Sequence, residues 1–142
     1  MAKAEKTETF NCTPEQFYKI ITDFEKYPEF LKEVSDCRII EKKKDKLLIE
    51  FSVDVVKKFT YRMWTKLNPP TGIEWELDSG DIFKTSVGSW TLKDLKGKTE
   101  ATYKVEATFK VFVPGPLAKA LVSVNLPAMM NAYHQRLKEV YK

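Results

Sequence analysis

The stretch VFVPGPLAKALVSVNLPAMMNAYHQRLKEVYK, residues 111–142, decides how the residues before it must fold. Apolar side chains recur there at Leu117, Leu121, Val124 and Ala128, and again at Leu126, Met130, Tyr133, Leu137 and Val140. That three-and-four spacing predicts a helix with a broad buried face. Pro114-Gly115-Pro116 forces a turn ahead of it. Pro127 then interrupts it, either kinking a continuous helix by removing its bond to Ser123 or lying in the first turn of a second helix capped by Asn125. Residues 117–126 are therefore expected to act as a lid, and the helix from Ala128 onward as a fixed wall.

Working backward, almost everything else alternates with period two. Leu47, Ile49, Phe51, Val53 and Val55 share one strand face against Glu50, Ser52 and Asp54, and Phe59, Tyr61, Met63, Thr65 and Leu67 share the next. Asn68-Pro69-Pro70-Thr71-Gly72 reads as a rigid turn into Ile73, Trp75 and Leu77, which alternate with Glu74, Glu76 and Asp78. Alternation is weaker over residues 83–92, where Trp90 and Leu92 share a face and Gly88 marks a bulge or a close backbone approach. One long strand is expected to carry Ala101, Tyr103, Val105, Ala107, Phe109, Val111 and Val113 up to the Pro-Gly-Pro turn. Toward the N-terminus, Thr7, Thr9 and Phe10 suggest a short first strand. Thr13-Pro14-Glu15-Gln16 has the residues of a capping box with Pro at the first helical position. Pro28 ends that helix and is expected to begin a second short one carrying Phe30 and Leu31. Strands with one dry and one wet face, followed by a long apolar helix, predict an α+β domain over residues 1–142. Its antiparallel sheet curves around the C-terminal helix, with two short helices after the first strand.

Composition narrows the function classes. A chain of 142 residues with nine Phe, six Tyr and three Trp can build a full core, or line a pocket, without metal or disulfide staples. Net charge is −1 over residues 1–50 and +5 over residues 51–142, a modest excess with no nucleic-acid motif. Cys12 and Cys37 lack CxxC spacing, and the first ten residues carry charges where a secretory leader needs an apolar run. The expected setting is therefore the reducing cytoplasm. No segment reaches membrane-spanning length, which leaves transient contact with a membrane surface as the available mode.

The segment Asp23-Phe24-Glu25-Lys26-Tyr27-Pro28-Glu29-Phe30-Leu31, the Asn68-Pro69-Pro70 turn, Gly88-Ser89-Trp90 and the terminal helix together resemble the START-like helix-grip superfamily. The likeness is greatest to its coenzyme Q-binding and polyketide cyclase/dehydrase branch, which includes the bacterial ribosome association toxin. The resemblance implies a curved sheet of about seven strands and a tunnel for an apolar ligand. It also implies one of three activities: carriage of an isoprenoid quinone or other lipid, contact with a ribosomal subunit, or cyclase/dehydrase chemistry. The chain departs from the pattern at Lys32-Glu33, where such proteins commonly continue with Pro and Trp.

Chemistry-bearing residues favour binding over catalysis. Phe51, Val53, Val55, Phe59, Tyr61, Met63, Ile73, Trp75, Leu77, Trp90, Tyr103 and Val105 are expected to line a cavity, with Leu121, Met129, Met130 and Tyr133 as its helical wall. Tyr61, Tyr103 and Tyr133 would offer hydroxyl groups to a quinone or sterol oxygen. His134, the one histidine, is expected to be solvated on the helix. Asp54, Glu74, Glu76 and Asp78 have outward parity. No metal-ligand spacing, nucleophile elbow, phosphate loop or dinucleotide fingerprint is present, so no catalytic residue, metal or cofactor is assigned. Lys42, Lys43, Lys44 and Lys46 at one hairpin, with Lys57 and Lys58 at another, are the residues that would meet ribosomal phosphate.

Overall fold

A computed structural model describes residues 2–55, 57–123 and 126–141, with the backbone alone for residues 55, 57 and 120–123. Seven strands form one antiparallel sheet: β1 (Ala2–Phe10), β2 (Val34–Lys42), β3 (Lys46–Val55), β4 (Lys57–Asn68), β5 (Gly72–Gly80), β6 (Phe83–Asp94) and β7 (Thr99–Phe109). Their spatial order is β1-β7-β6-β5-β4-β3-β2, so the first strand closes beside the last. Helix α1 (Pro14–Ile21) and a 3-10 helix (Phe24–Glu29) follow β1, and α2 (Gly115–Ser123) and α3 (Leu126–Val140) follow β7. Register shifts interrupt β2–β3 twice, β4–β5 between Arg62 and Met63, and β6–β7 between Phe83 and Thr85. An extra residue bends and twists its strand, and these shifts curve the sheet around the helices.

Local chemistry explains the helix starts. Thr13 Oγ1 accepts from the Gln16 N–H at 3.2 Å while Gln16 Oε1 accepts from the Thr13 N–H at 3.0 Å, which completes the capping box. Phe17, Ile20 and Ile21 put one face of α1 into the core. In α3 the buried positions are Met130, Tyr133 and Leu137. Val140, expected on the same stripe, is 48% exposed, and it is Tyr141 beside it that packs on the core and donates to the Gln16 carbonyl at 3.3 Å. Helical structure is described as far as Ser123 in α2 and again from Leu126 in α3, with Pro127 the second described residue of α3, and the interruption expected ahead of Pro127 falls at residues 124–125, outside the described residues. The expected cap, Asn125, lies outside the described residues.

Three sequence expectations change. The strand through Val111 and Val113 stops at Phe109, because Phe109 faces Phe83, the first residue of β6, and no ladder partner lies beyond it. Strand β1 reaches back to Ala2, since β7 offers it partners as far as Ala107. Pro28 sits inside the 3-10 helix, and Phe30 and Leu31 follow that helix rather than being carried by a new one.

Candidate functional site

The core is divided. One cluster gathers Phe10, Phe17, Ile21, Tyr27, Ile49, Trp90, Met130, Tyr133 and Leu137 under α1 and α3. A second holds Val53, Phe59, Ile82, Phe83, Val105 and Ala107 toward the other end of the sheet. Between them lies a cavity of about 170 Å³. It draws its wall from both clusters and from the residues that bridge them.

Ten of the residues expected from the sequence share that wall: Phe51, Tyr61, Met63, Ile73, Trp75, Trp90, Tyr103, Val105, Met129 and Tyr133. Four do not reach it. Val53, Phe59 and Leu77 pack in the second cluster, where the inward face is filled by neighbouring side chains, and Met130 is buried in the first. The side chains of Val55 and Leu121 lie outside the described residues. The wall also includes Phe24, Tyr27, Leu31, Val34, Thr65, Phe83 and Ser86. Of these, Thr65 shared the inward parity of Met63, and Phe24, Tyr27 and Leu31 stood in the Asp23–Leu31 segment that carries the family resemblance. Ser86 had as its only signal a place two residues before Gly88 and four before Trp90, on the same strand parity.

The wall carries no charged side chain. Its polarity comes from hydroxyl groups. Tyr27 donates to the Ile21 carbonyl, which fixes its ring and holds its hydroxyl beside that of Tyr133. Among the described residues, the hydroxyls of Tyr61, Tyr103, Thr65 and Ser86 have no protein hydrogen-bond partner, and all four residues face the cavity. Burial pushes the phenols up: Tyr103 to about 12, and Tyr27, Tyr61 and Tyr133 further, with neighbouring phenols and the Cys37 thiol adding to burial in those three. Cys37 is itself driven to about 12 by burial and by the Asp36 and Glu25 carboxylates. These groups are therefore neutral donors.

Rings set the cavity's shape. Trp90 meets Tyr103 at 5.0 Å and Tyr133 at 5.4 Å between centroids, and Phe51 stacks on Tyr61 at 5.5 Å. Trp75 lies flat on β6: a side chain at Gly88 would put its Cβ 2.4 Å from the indole. This is the close approach that the glycine signalled.

Outside the cavity, the acidic positions Asp54, Glu74, Glu76 and Asp78 are all exposed, as their parity required. His134 differs from expectation. Its Nε2 lies 3.0 Å from Glu8 Oε2 and its ring packs on Phe10 at 4.4 Å, so it joins α3 to β1 instead of facing water. Cys12 and Cys37 are free and buried. Among the described residues no cluster of three or more His, Cys, Asp or Glu could hold a metal ion, and no helix is long and apolar enough to cross a membrane.

Residues 11–133 match the family described as polyketide cyclase / dehydrase and lipid transport. The chain belongs to that family. Within the polyketide cyclase / dehydrase and lipid transport family, the chain is similar to the ribosome association toxin RatA of Pseudomonas aeruginosa, with 30% identity over 131 residues covering 87% of each chain. Among solved structures, a START superfamily protein from Mycobacterium smegmatis superposes with a TM-score of 0.84 at 21% identity, covering 97% of this chain and 98% of that one. The Zhui aromatase/cyclase from Streptomyces sp. R1128 superposes with a TM-score of 0.87 at 16% identity, covering 99% and 96%. The fold is thus START-like helix-grip, shared with an aromatase/cyclase among solved structures, while the sequence relatives include a ribosome association toxin.

Proposed function

We propose that the protein binds a neutral hydrophobic molecule in the cavity between its two core clusters and does not transform it. The observation that carries this reading is a 170 Å³ space whose wall holds no charge, with unpartnered hydroxyls on Tyr61, Tyr103, Ser86 and Thr65. A cavity of about 150 Å³ takes a benzene-sized molecule, whereas whole drug-sized ligands need about 300 Å³ or more. The part received is therefore one ring with oxygen acceptors, as in a quinone head, and an isoprenoid or acyl tail must lie beyond the cavity. Acid–base chemistry is poorly served there. The wall has no carboxylate, histidine or lysine, and its phenols are held protonated.

The test is extraction of the purified protein with organic solvent and mass analysis of what is released, beside Ser86→Leu, which fills the cavity. Near-stoichiometric release of a ring-bearing lipid from the parent and little from Ser86→Leu is expected. Equal yields from both, or an empty parent that also fails to bind added naphthoquinone, would remove the cavity as a binding site.

A second reading rests on the 30% identity with the ribosome association toxin. Lys42, Lys43, Lys44 and Lys46 are exposed around the β2–β3 hairpin, with the Lys43 ammonium 4.8 Å from the ring of Trp64, a cationic and aromatic surface suited to ribosomal RNA. Salt-dependent co-sedimentation with large ribosomal subunits, abolished by neutralising these lysines and indifferent to Ser86→Leu, would support it over ligand carriage.

A further inference from the structure

One end of the sheet presents an uncovered apolar tip. Beyond the last residue of β7 the chain carries Val111 at 65% exposure and Phe112 at 89%. The tip is anchored: the Lys110 N–H donates to the Ile82 carbonyl at 2.9 Å, and its ammonium donates to the Gly80 carbonyl at 2.8 Å, which fastens it to the β5–β6 turn. Pro114 and Pro116 stiffen its other side. Two adjacent large apolar side chains on a projecting, fastened loop make a patch that needs a receiving surface.

Charge selects the surface. No Asp or Glu occurs between Glu106 and Glu139, while Lys110 and Lys119 flank the tip. The starts of β4 and β6 add Lys58 and Lys84, both exposed. Of the acids at this end, Asp54 stands opposite Lys58 in the β3–β4 ladder and the Asp81 carboxylate accepts from the Thr60 N–H at 2.9 Å. We propose that this end of the sheet docks on an anionic phospholipid bilayer, with Phe112 and Val111 in the interfacial layer and Lys58, Lys84 and Lys110 against the headgroup phosphates. An apolar anchor beside lysines combines burial with attraction to anionic lipid. A second copy of the same face is a poor occupant, because a two-fold contact would set lysine against lysine. The docking goes beyond the cavity reading and does not depend on what the cavity holds. It does bring the two together, since Phe83 of the cavity wall stacks on Phe109 at 5.6 Å, three residues before Phe112.

The 142-residue chain is sedimented with phosphatidylcholine vesicles prepared with and without phosphatidylglycerol. Binding to the anionic vesicles alone is expected, falling steeply with added salt. Phe112→Ser should weaken it roughly tenfold or more. Lys84→Gln should weaken it about fivefold, and Lys98→Gln, at the opposite end of the sheet, should leave it unchanged. Because Phe112 is exposed, Phe112→Ser is expected to keep the parent's circular dichroism, so a loss of binding cannot be charged to unfolding. Phe112→Trp supplies an independent signal, a blue shift of the added indole's fluorescence on mixing with anionic vesicles. Absence of parent binding, undiminished binding by Phe112→Ser, or an unshifted Phe112→Trp spectrum would overturn the proposal. So would a change in self-association on Phe112→Ser without vesicle binding, which would make the tip an interface between copies.

Discussion

Tyr61 and Tyr103 stand half-buried in the cavity wall with hydroxyls that find no protein partner among the described residues, so water or a ligand must meet them there. The same burial makes them poor acids. Tyr103 has its pKa moved from 10.0 to about 12, so the unfolded chain releases this proton first as pH rises. Its contribution to stability is complete below about pH 10 and is lost as pH climbs through about 12. Alkaline titration followed by circular dichroism and tyrosinate absorbance should therefore show these phenols ionising together with loss of structure. Ionisation near pH 10 with the fold intact would contradict the burial. Which tyrosines faced inward was legible from strand parity. Thr65 shared their parity, but that it and Ser86 would border open space was not legible, because parity gives a side and not whether the space on that side is filled.

Pairing between elements settles what residue patterns leave open. Val111 and Val113 continue the alternation of β7, yet a strand needs a neighbour, and β6 supplies none past Phe83. Ala2 to Thr9 shows little alternation of its own and is a strand because β7 runs beside it. The β5–β6 contact at Gly88 depends on a bare backbone for the Trp75 indole, with only 2.4 Å available to a methyl group. Gly88→Ala should cost about 2 kcal/mol in urea unfolding and alter the tryptophan emission, as overpacking displaces the ring toward the cavity. An unchanged midpoint and spectrum would show that the ring is free to yield.

At the scale of the molecule, a single long sheet serves two ends with different tasks. The end under α1 and α3 is tightly packed with aromatic rings and fixed by the His134–Glu8 contact, and the other carries a smaller cluster and the exposed tip at Phe112. Helix-grip architecture was legible from alternation followed by a long apolar helix. The division of the core was not, since Val53, Phe59 and Leu77 have the same pattern as the residues that line the cavity. That division leaves a void of about 170 Å³ that disappears when the chain unfolds. Unfolding should thus shrink the system's volume by an amount on the order of tens of mL/mol, so that hydrostatic pressure acts as a denaturant. The pressure midpoint should rise in Ser86→Leu and rise again when a ring-bearing ligand is added to the parent, because in each case the compressible space has been taken up.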